Sequence, residues 1–322
     1  MNHLNRRTFV RATGAAAIAV AGTRPLLAQD NVIRLLVSYP AGGIADVATR
    51  LVAQRMSVSM GEAVVVENRP GASGRIGVQA LRRAPADGRT LLMTNIATMV
   101  IGPGIWKDPS FDPVNDLIPV SNALEYELAY SIAQSVPATN IKEYASWVAE
   151  NPKNAVFGSP AVGGLAHFMG MQVGQALNVK MNHVGYRGSA PLNSDLMGGQ
   201  IPAGIDTLDV QMRAKNVRIL GTTGAKRSPF LPHVPTFTEL GYPEVQGNGW
   251  FGFFAAAGTP KHLIDQLSSE VAKAIRDPEV SARLKAMSYV PIGSTSVEFA
   301  KTMEADRAKW VPLIKASGLS LD

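Results

Sequence analysis

The 322-residue sequence contains no cysteine. Disulfide bridges, a thiol nucleophile, a cysteine-ligated metal and a lipid-modified cysteine are therefore excluded. Only five histidines are present, and none belongs to an H-E-x-x-H or similar clustered set. The sequence accordingly predicts no metal site.

Nucleotide-binding patterns are missing as well. The Gly-rich turn after the first predicted strand lacks the G-x-x-x-x-G-K-[ST] pattern and has no second well-placed glycine for a dinucleotide fingerprint, so we expect no phosphate cofactor. Basic charge is concentrated at the N-terminus. Four arginines precede Ala28, and without them the formal net charge falls from +6 to +2. No basic block of the kind that binds nucleic acid remains.

Residues 1–28 have the features of an export signal. The twin-arginine pair, Arg6 and Arg7, precedes an uncharged, alanine-rich run at residues 12–23 that is too short to span a membrane. A small residue stands before a cleavage site near Gln29. We therefore expect a mature periplasmic protein without a lipid anchor; a cytoplasmic protein with a basic tail is the alternative.

The rest of the chain has an ordinary globular composition, with 46% hydrophobic and 17% charged residues, and its length favours two domains. Strand patterns alternate with helix patterns, which predicts an α/β fold whose ligands lie beyond the carboxyl ends of parallel strands. We expect the chain to cross between domains near residues 122–127 and to return at the apolar strand that begins at Trp250. The predicted domain 1 comprises residues 29–124 and 247–322, and domain 2 comprises residues 125–246.

Residues 37–50 contain the most informative candidate for a ligand-binding turn. They follow an apolar run typical of a buried strand and lead into hydrophobic residues at helical spacing, which predicts a strand, a turn and a helix. Gly42 and Gly43 allow backbone N–H groups to approach a ligand together, beside the positive end of the helix dipole. Such a turn is an anion site. A Gly-Gly pair that only makes the turn is an equally weighted alternative.

A second strand, turn and helix are predicted in the other half of the chain. Residues 155–157 read as a strand and residues 158–164 as a Gly-rich turn. From Leu165 onward, residues at offsets of 3, 4, 7, 8, 11 and 12, all hydrophobic except Gln172, form the stripe of a core-facing helix. Two such turns, one from each domain, are able to hold a ligand from both sides of a cleft.

Further motifs occur in a fixed order from residue 32 to the end of the chain. They are Tyr39-Pro40-Ala41-Gly42-Gly43 with Asp46 and Arg50, Glu67-Asn68-Arg69-Pro70-Gly71, Tyr186-Arg187-Gly188 with residues 195–200, residues 222–229, and Trp250-Phe251-Gly252 with Gly258-Thr259-Pro260. Together they resemble the substrate-binding proteins of tripartite tricarboxylate transporters, also called the Bug family.

The resemblance implies a type II-like, two-domain periplasmic binding protein, in which each domain is a mostly parallel sheet flanked by helices and the ligand cleft lies between them. It implies a monomer without cofactor or enzymatic activity that captures a small organic carboxylate and delivers it to membrane transporter subunits.

It also implies a set of ligand-binding residues, in which the backbone of both turns meets one carboxylate group and other residues line the rest of the cleft. The set is Tyr39, Ala41, Gly42, Gly43, Asp46, Asn95, Ala97, Ser159, Ala161, Gly163, Gly164, His167, Ser189 and Asp206.

Three members of this set have open alternatives. Asp46 falls in the first helical turn, where a structural cap is favoured over cleft lining. His167 is expected either to contact the ligand or to cap its turn, and Asp206 to select a ligand with a donor or an amine. The sequence departs from the family pattern at Gly164, where Ser or Thr is usual, and at Pro202, where an acid is common; both changes concern ligand identity.

Two competing functions were weighed. A hydrolase would use Ser159, His167 and Asp206, but Gly158-Ser159-Pro160 is not a G-x-S-x-G elbow, and the proline stands where an oxyanion-hole N–H is needed. A sensory partner would bind the same ligand and dock to a receptor instead of a permease.

Overall fold

A computed structural model describes residues 32–321. The predicted signal peptide, residues 1–28, lies outside the described residues. Within residues 32–321 no helix is long and apolar enough to cross a membrane.

The strands of the described chain alternate with helices, as predicted. The strands are β1 (Val32–Val37), β2 (Ala63–Asn68), β3 (Thr90–Asn95), β4 (Leu117–Tyr126), β5 (Leu128–Ala133), β6 (Val156–Ser159), β7 (Asn182–Gly185), β8 (Ala203–Thr207), β9 (Val217–Thr222), β10 (Gly249–Ala256) and β11 (Val290–Pro291).

The helices are α1 (Ile44–Met60), α2 (Arg75–Arg82), α3 (Gly102–Ile105), α4 (Ile141–Glu150), α5 (Leu165–Ala176), α6 (Ser189–Met197), α7 (Leu208–Arg213), α8 (Lys261–Arg276), α9 (Pro278–Ala286) and α10 (Ser296–Ser317). A π-helical turn, Ala97–Ile101, precedes α3.

The strands form two sheets. The first has the order β11-β4-β10-β3-β1-β2 and the second the order β7-β6-β8-β5-β9. The chain leaves the first sheet after Tyr126, enters the second at Leu128, and returns between Thr222 and Gly249. The predicted domain boundaries lie near these crossings, and the assignment of residues to two domains stays a prediction.

Each sheet is mixed, which refines the expectation of mostly parallel sheets. β1 is parallel to β2 and β3, and β6 is parallel to β7 and β8. The strands at the crossings differ, since β10 is antiparallel to β3 and β4 while β5 is antiparallel to β8 and β9. A strand that enters a sheet directly from the other sheet needs no crossover helix, so it is free to pair antiparallel.

This topology brings specific chain ends together. In the first sheet the carboxyl ends of β1, β2, β3 and β4 share one edge with the start of β10, because Phe251 pairs with Asn95. In the second sheet the carboxyl ends of β6, β7, β8 and β9 share an edge with the start of β5, since Ala129 pairs with both Asp206 and Thr222. Ligands of α/β sheets lie at such edges.

The core confirms the helical stripe predicted after the second turn. In α5 the side chains of Phe168, Met169 and Val173 are buried. The methionine at 169 is fully enclosed and therefore packs in the core, as the spacing predicts.

Candidate functional site

The first glycine turn joins β1 to α1. Gly42 has a φ of +87°, a left-handed conformation that glycine adopts without steric cost. Gly43 is the N-cap residue of α1 and, having no side chain, leaves the first N–H groups of the helix without a side-chain cap. The turn therefore presents backbone donors at the positive end of a 17-residue helix.

Asp46 shapes this turn from the first turn of α1. Its Oδ2 accepts the Gly42 N–H at 2.9 Å and the Arg50 Nε–H at 3.1 Å. Its Oδ1 accepts a hydrogen bond from Asn68 at 3.0 Å. Burial disfavours the charged carboxylate, but these hydrogen bonds outweigh burial and lower the pKa of Asp46. Since Asp46 already binds the Gly42 N–H, that donor is not free for a ligand.

Asn68, at the end of β2, was assigned no role from the sequence. Its Nδ2 donates to the Tyr39 carbonyl oxygen at 3.1 Å, and its Oδ1 accepts from Arg50 at 3.1 Å. Asn68 thereby fixes the start of the turn. Its position at the carboxyl end of a predicted strand, within a family motif, was the available signal.

The second glycine turn, between β6 and α5, repeats the geometry of the first. Gly163 has a φ of +73°, and Gly164 is the N-cap residue of α5. The N–H of the left-handed glycine is again bound by a side chain four residues later, here Nδ1 of His167 at 3.1 Å. His167 thus caps the second turn as Asp46 caps the first.

A second histidine supports the same turn. His183, on β7, stacks on His167 with ring centroids 3.7 Å apart and an interplanar angle of 19°. Its Nε2 lies 2.8 Å from Oγ of Ser159, which donates to the Ala161 carbonyl oxygen at 3.0 Å. Burial lowers the pKa of His167, and burial with the neighbouring His167 lowers the pKa of His183 to about 4. Both rings are therefore neutral near pH 7.

This cluster differs from the Ser159, His167 and Asp206 set that a hydrolase would use. Ser159 meets His183 rather than His167, and among the hydrogen bonds of residues 32–321 none joins either histidine to Asp206. Ser159 is fully buried. Its hydroxyl shapes the turn instead of facing a substrate.

Each turn keeps backbone donors without an internal partner. Within residues 32–321, no hydrogen bond uses the N–H of Ala41, Gly43, Ala161 or Gly164. Uncapped N–H groups at the start of a helix suit an anion, and carboxylate is a small anion of this kind.

A cavity of about 150 Å³ lies between Tyr39, at the start of the first turn, and the second turn. It brings together Tyr39, Asn95 and Ala97 from the first half of the chain with Ala161, Gly163 and Gly164 from the second. The other lining residues are Ser73, Thr98, Gly102, Ile105, Trp106, Val162 and Leu321.

Polar groups in the cavity are arranged around Thr98. Tyr39 donates its hydroxyl hydrogen to Thr98 Oγ1 at 3.0 Å, because the Thr98 hydroxyl itself donates to the Ser73 carbonyl oxygen at 3.1 Å. Asn95 accepts the Thr98 N–H on its Oδ1 at 3.2 Å. The side-chain nitrogen of Asn95, Nδ2, takes part in no hydrogen bond among the described residues and is therefore a free donor.

Leu321 and Ile105 are lining residues that the sequence did not reveal. The Leu321 N–H donates to the Ile105 carbonyl oxygen at 2.7 Å, and the Lys107 N–H donates to the Leu321 carbonyl oxygen at 3.0 Å. Both side chains approach the second turn. A Cβ on Gly163 would lie 2.4 Å from Ile105 Cδ1 and 3.0 Å from Leu321 Cδ1. Isolated aliphatic residues carry no sequence signal for this role.

The remaining predicted residues do not line this cavity. They are Ala41, Gly42, Gly43, Asp46, Ser159, His167, Ser189 and Asp206. Asp206 instead lies at the carboxyl end of β8, where the nearby Ser189 side chain partly opposes the rise in its pKa.

Asp206 is a buried carboxyl group with spare acceptor capacity. It is 1% exposed, its Oδ1 accepts the Thr207 N–H at 2.7 Å, and its Oδ2 has no partner among the described residues. Burial raises the pKa of Asp206 to about 6.

An aromatic wall extends from the cavity to the first crossing. Tyr39 packs edge-on against Phe251 at 5.8 Å, Phe251 against Tyr126 at 5.7 Å, and Tyr126 against Tyr289 at 6.1 Å between ring centroids. Burial raises the pKa of Tyr39 and Tyr126, so the wall is uncharged. Of the four rings only Tyr39 lines the cavity, while Phe251, Tyr126 and Tyr289 are buried and hold the Tyr39 ring in place.

Larger grooves lie elsewhere among the described residues, and they contain none of the predicted residues. One of about 560 Å³ lies between α8 and the start of α10, and one of about 500 Å³ lies beside the edge strand β9. The smaller cavity is the candidate ligand site because it contains six of the predicted residues, from both halves of the chain, at the carboxyl edges of the sheets.

Comparison with known proteins agrees with this architecture. A Pseudomonas sp. (strain P51) protein, described as a UPF0065 protein in the tcbD-tcbE intergenic region, is 33% identical over 88% of this chain and 85% of its own length. The structure of R. palustris Rpa4515 with adipate has a TM-score of 0.78 at 28% identity, covering 90% of this chain and 98% of that one. The periplasmic binding protein BugD has a TM-score of 0.73 at 28% identity, covering 90% and 99%.

Two mixed sheets flanked by helices and joined by two crossings are the fold of the periplasmic binding protein BugD, and the family matched by this chain consists of solute-binding proteins rather than enzymes. The model of the tripartite tricarboxylate transporter family receptor, TctC, matches residues 48–319. The chain belongs to that family. The resemblance to Bug proteins is therefore confirmed.

Proposed function

We propose that this protein captures a small organic carboxylate in the cavity between Tyr39 and the second glycine turn and delivers it to membrane transporter subunits. The observation that carries the proposal is the pair of unpartnered N–H groups at Ala161 and Gly164, two residues that line the cavity. Free N–H groups at a helix start are able to bind a carboxylate. The first turn has free N–H groups of the same kind at Ala41 and Gly43, outside the cavity lining, and in this proposal domain closure brings them to the ligand.

The dimensions and the relatives support a small acid. A cavity of about 150 Å³ holds about five water volumes of roughly 30 Å³ each. The Rpa4515 structure holds adipate, a linear dicarboxylate. The Tyr39 ring and the side chains of Ile105 and Leu321 in the lining suit the apolar skeleton of such a ligand.

The proposal keeps the predicted residue set in modified roles. Ala41, Gly43, Ala161 and Gly164 donate through backbone N–H groups, and Tyr39, Asn95 and Ala97 line the cavity. Asp46, Ser159 and His167 hold the turns in shape, together with Gly42 and Gly163. Ser189 and Asp206 face the cleft beyond the cavity, where Asp206 accepts a ligand donor.

A thermal-shift screen of the mature protein, from Gln29 onward, tests the carboxylate assignment. Each acid is paired with its amide and its methyl ester. An acid present at about 100 times its Kd stabilises the folded state by about 2.7 kcal/mol, which raises Tm by about 5–10 °C. A shift with an acid that its amide lacks supports the proposal; equal shifts for an acid and its amide, or none with any acid after removal of co-purified ligand, contradict it.

The proposal includes export by residues 1–28, a monomeric state and closure of domain 2 (residues 125–246) on domain 1 (residues 29–124 and 247–322). Small-angle scattering with and without a saturating acid tests closure, and identical profiles count against it. The same samples report the mass in solution, which should be that of one chain.

A further inference from the structure

The two glycine turns share one geometry but differ in the group that caps them. In the first turn the Gly42 N–H is held by a carboxylate, Asp46, which is itself bound by Arg50. In the second turn the Gly163 N–H is held by a ring nitrogen, Nδ1 of His167. A carboxylate accepts hydrogen bonds throughout the neutral pH range, whereas an imidazole accepts only while it is uncharged.

The hydrogen bond defines the state of His167. Because the Gly163 N–H donates to Nδ1, that nitrogen carries no proton, and the neutral ring carries its hydrogen on Nε2. Protonation of Nδ1 would place two donors face to face. The hydrogen bond to Gly163 therefore exists only with the uncharged ring.

Among the described residues, no charged side chain lies beside the stacked rings to compensate a charge on them. The titratable group that faces each ring is the other ring, at 3.7 Å between centroids. The elements packed around them contribute uncharged groups, namely Phe157 and Ser159 from β6 and Phe168 from α5. His167 is 7% exposed, so water does not stabilise a charge there either.

We propose that His167 is a positioning residue that holds the second turn in its ligand-binding shape, and that the affinity for a carboxylate falls when this ring becomes charged. The inference rests on the proposed function. His167 acts through Gly163, next to the free N–H of Gly164, and His183 holds the His167 ring in place by stacking.

The competing outcome is that the affinity for the carboxylate rises when His167 becomes charged. A charged His167 would add a positive charge near an anionic ligand, which would strengthen binding. We expect the loss of the Gly163 hydrogen bond to dominate, because it disturbs the turn that supplies the donors, whereas the ring itself does not line the cavity.

Two substitutions at one position separate the hydrogen bond from the packing. His167→Asn retains an acceptor at the required distance, since Asp46, a side chain of the same length, makes the equivalent bond in the first turn. It lacks the titratable ring. His167→Leu fills a similar volume without an acceptor. Circular dichroism of both variants checks that the fold is retained.

Amide exchange in the ligand-free protein tests the cap without any ligand. At pH 7.5 we expect the Gly163 amide to exchange at least tenfold faster in His167→Leu than in the wild type, and His167→Asn to restore the protection. As the pH falls from 7.5 to 4.5, the ratio of the wild-type rate to the His167→Asn rate at the same pH should rise, because only the wild type loses its acceptor. Equal rates in all three proteins overturn the proposal.

Calorimetric titration with adipate then tests the consequence for binding. The ratio of the wild-type Kd to the His167→Asn Kd, taken at the same pH so that ionisation of adipate cancels, should rise at least threefold from pH 7.5 to 4.5. A ratio that falls shows that the ring charge attracts the anion and overturns the proposed sign. If adipate binds neither protein, the proposed function loses support for this acid, and the exchange rates alone decide whether His167 caps the turn.

Discussion

Alanine at Gly163 should destabilise the protein much more than alanine at Gly42, although the two glycines occupy equivalent positions. Both have positive φ angles, +73° and +87°, and forcing an L-residue into the left-handed region costs about 1–2 kcal/mol. Around Gly42 a new Cβ would meet no atom within 4 Å. Gly42→Ala therefore measures the backbone cost alone.

At Gly163 the new Cβ would also collide with the residues that close the cavity. It would lie 2.4 Å from Ile105 Cδ1 and 3.0 Å from Leu321 Cδ1. Both atoms are the ends of side chains that border the cavity, so these side chains relieve only part of the collision by moving into it. Overpacking of this kind costs about 1–3 kcal/mol, which brings the total for Gly163→Ala to about 2–5 kcal/mol.

Urea unfolding of the wild type and both variants measures the difference, and thermal unfolding should show about 2 °C per kcal/mol. The variant Ile105→Ala removes the colliding methyl group. In that background Gly163→Ala should lose most of its additional cost and resemble Gly42→Ala. Equal destabilisation by the two glycine substitutions in the wild-type background would refute the reasoning, because it would mean that the second turn is not packed against Ile105 and Leu321.

Two predictions concern buried carboxyl groups. Glu127, in the link between β4 and β5, has an unpartnered Oε2, and burial raises its pKa to about 7. Its stabilising contribution is complete below the unfolded pKa of about 4.5 and is lost as the pH rises through 7. Glu127→Gln should therefore raise the free energy of unfolding, measured with urea, by about 1–3 kcal/mol at pH 8 and have little effect at pH 4.5. A gain of equal size at both pH values would contradict this. In calorimetry, Asp206→Asn should weaken the binding of an amino- or hydroxyl-bearing acid about tenfold more than the binding of the unsubstituted acid. The reason is that the free Oδ2 accepts a hydrogen bond from the amino or hydroxyl group, which the unsubstituted acid lacks. Identical losses for the two acids would show that Asp206 does not contact the ligand substituent.

The comparison of sequence with structure is informative at the histidines. From the sequence His167 had two open roles, and the capping role is the one that the geometry displays. The pairing of His183 with His167 and Ser159 was not anticipated, because His183 stands on another strand and only the parallel register of β6 and β7 brings it to Ser159. Similarly, Leu321 reaches the cavity only through its backbone pairing with Ile105, 216 positions away in a chain of 322 residues.

The sequence by itself determined the features that depend on neighbours along the chain. Alternating hydrophobic periods, glycines at positions with positive φ and helix starts directly after strands are local, and they sufficed for the α/β class, for both glycine turns and for the order of the motifs. Only the tertiary structure decided which donors remain free, since Asp46 and His167 each bind one N–H that the sequence assigned to the ligand. The tertiary structure also decided the shape of the cavity, because the lining comes from segments that meet only when the chain is folded. Such contacts follow from burial of apolar surface over the whole chain and not from any short stretch of sequence.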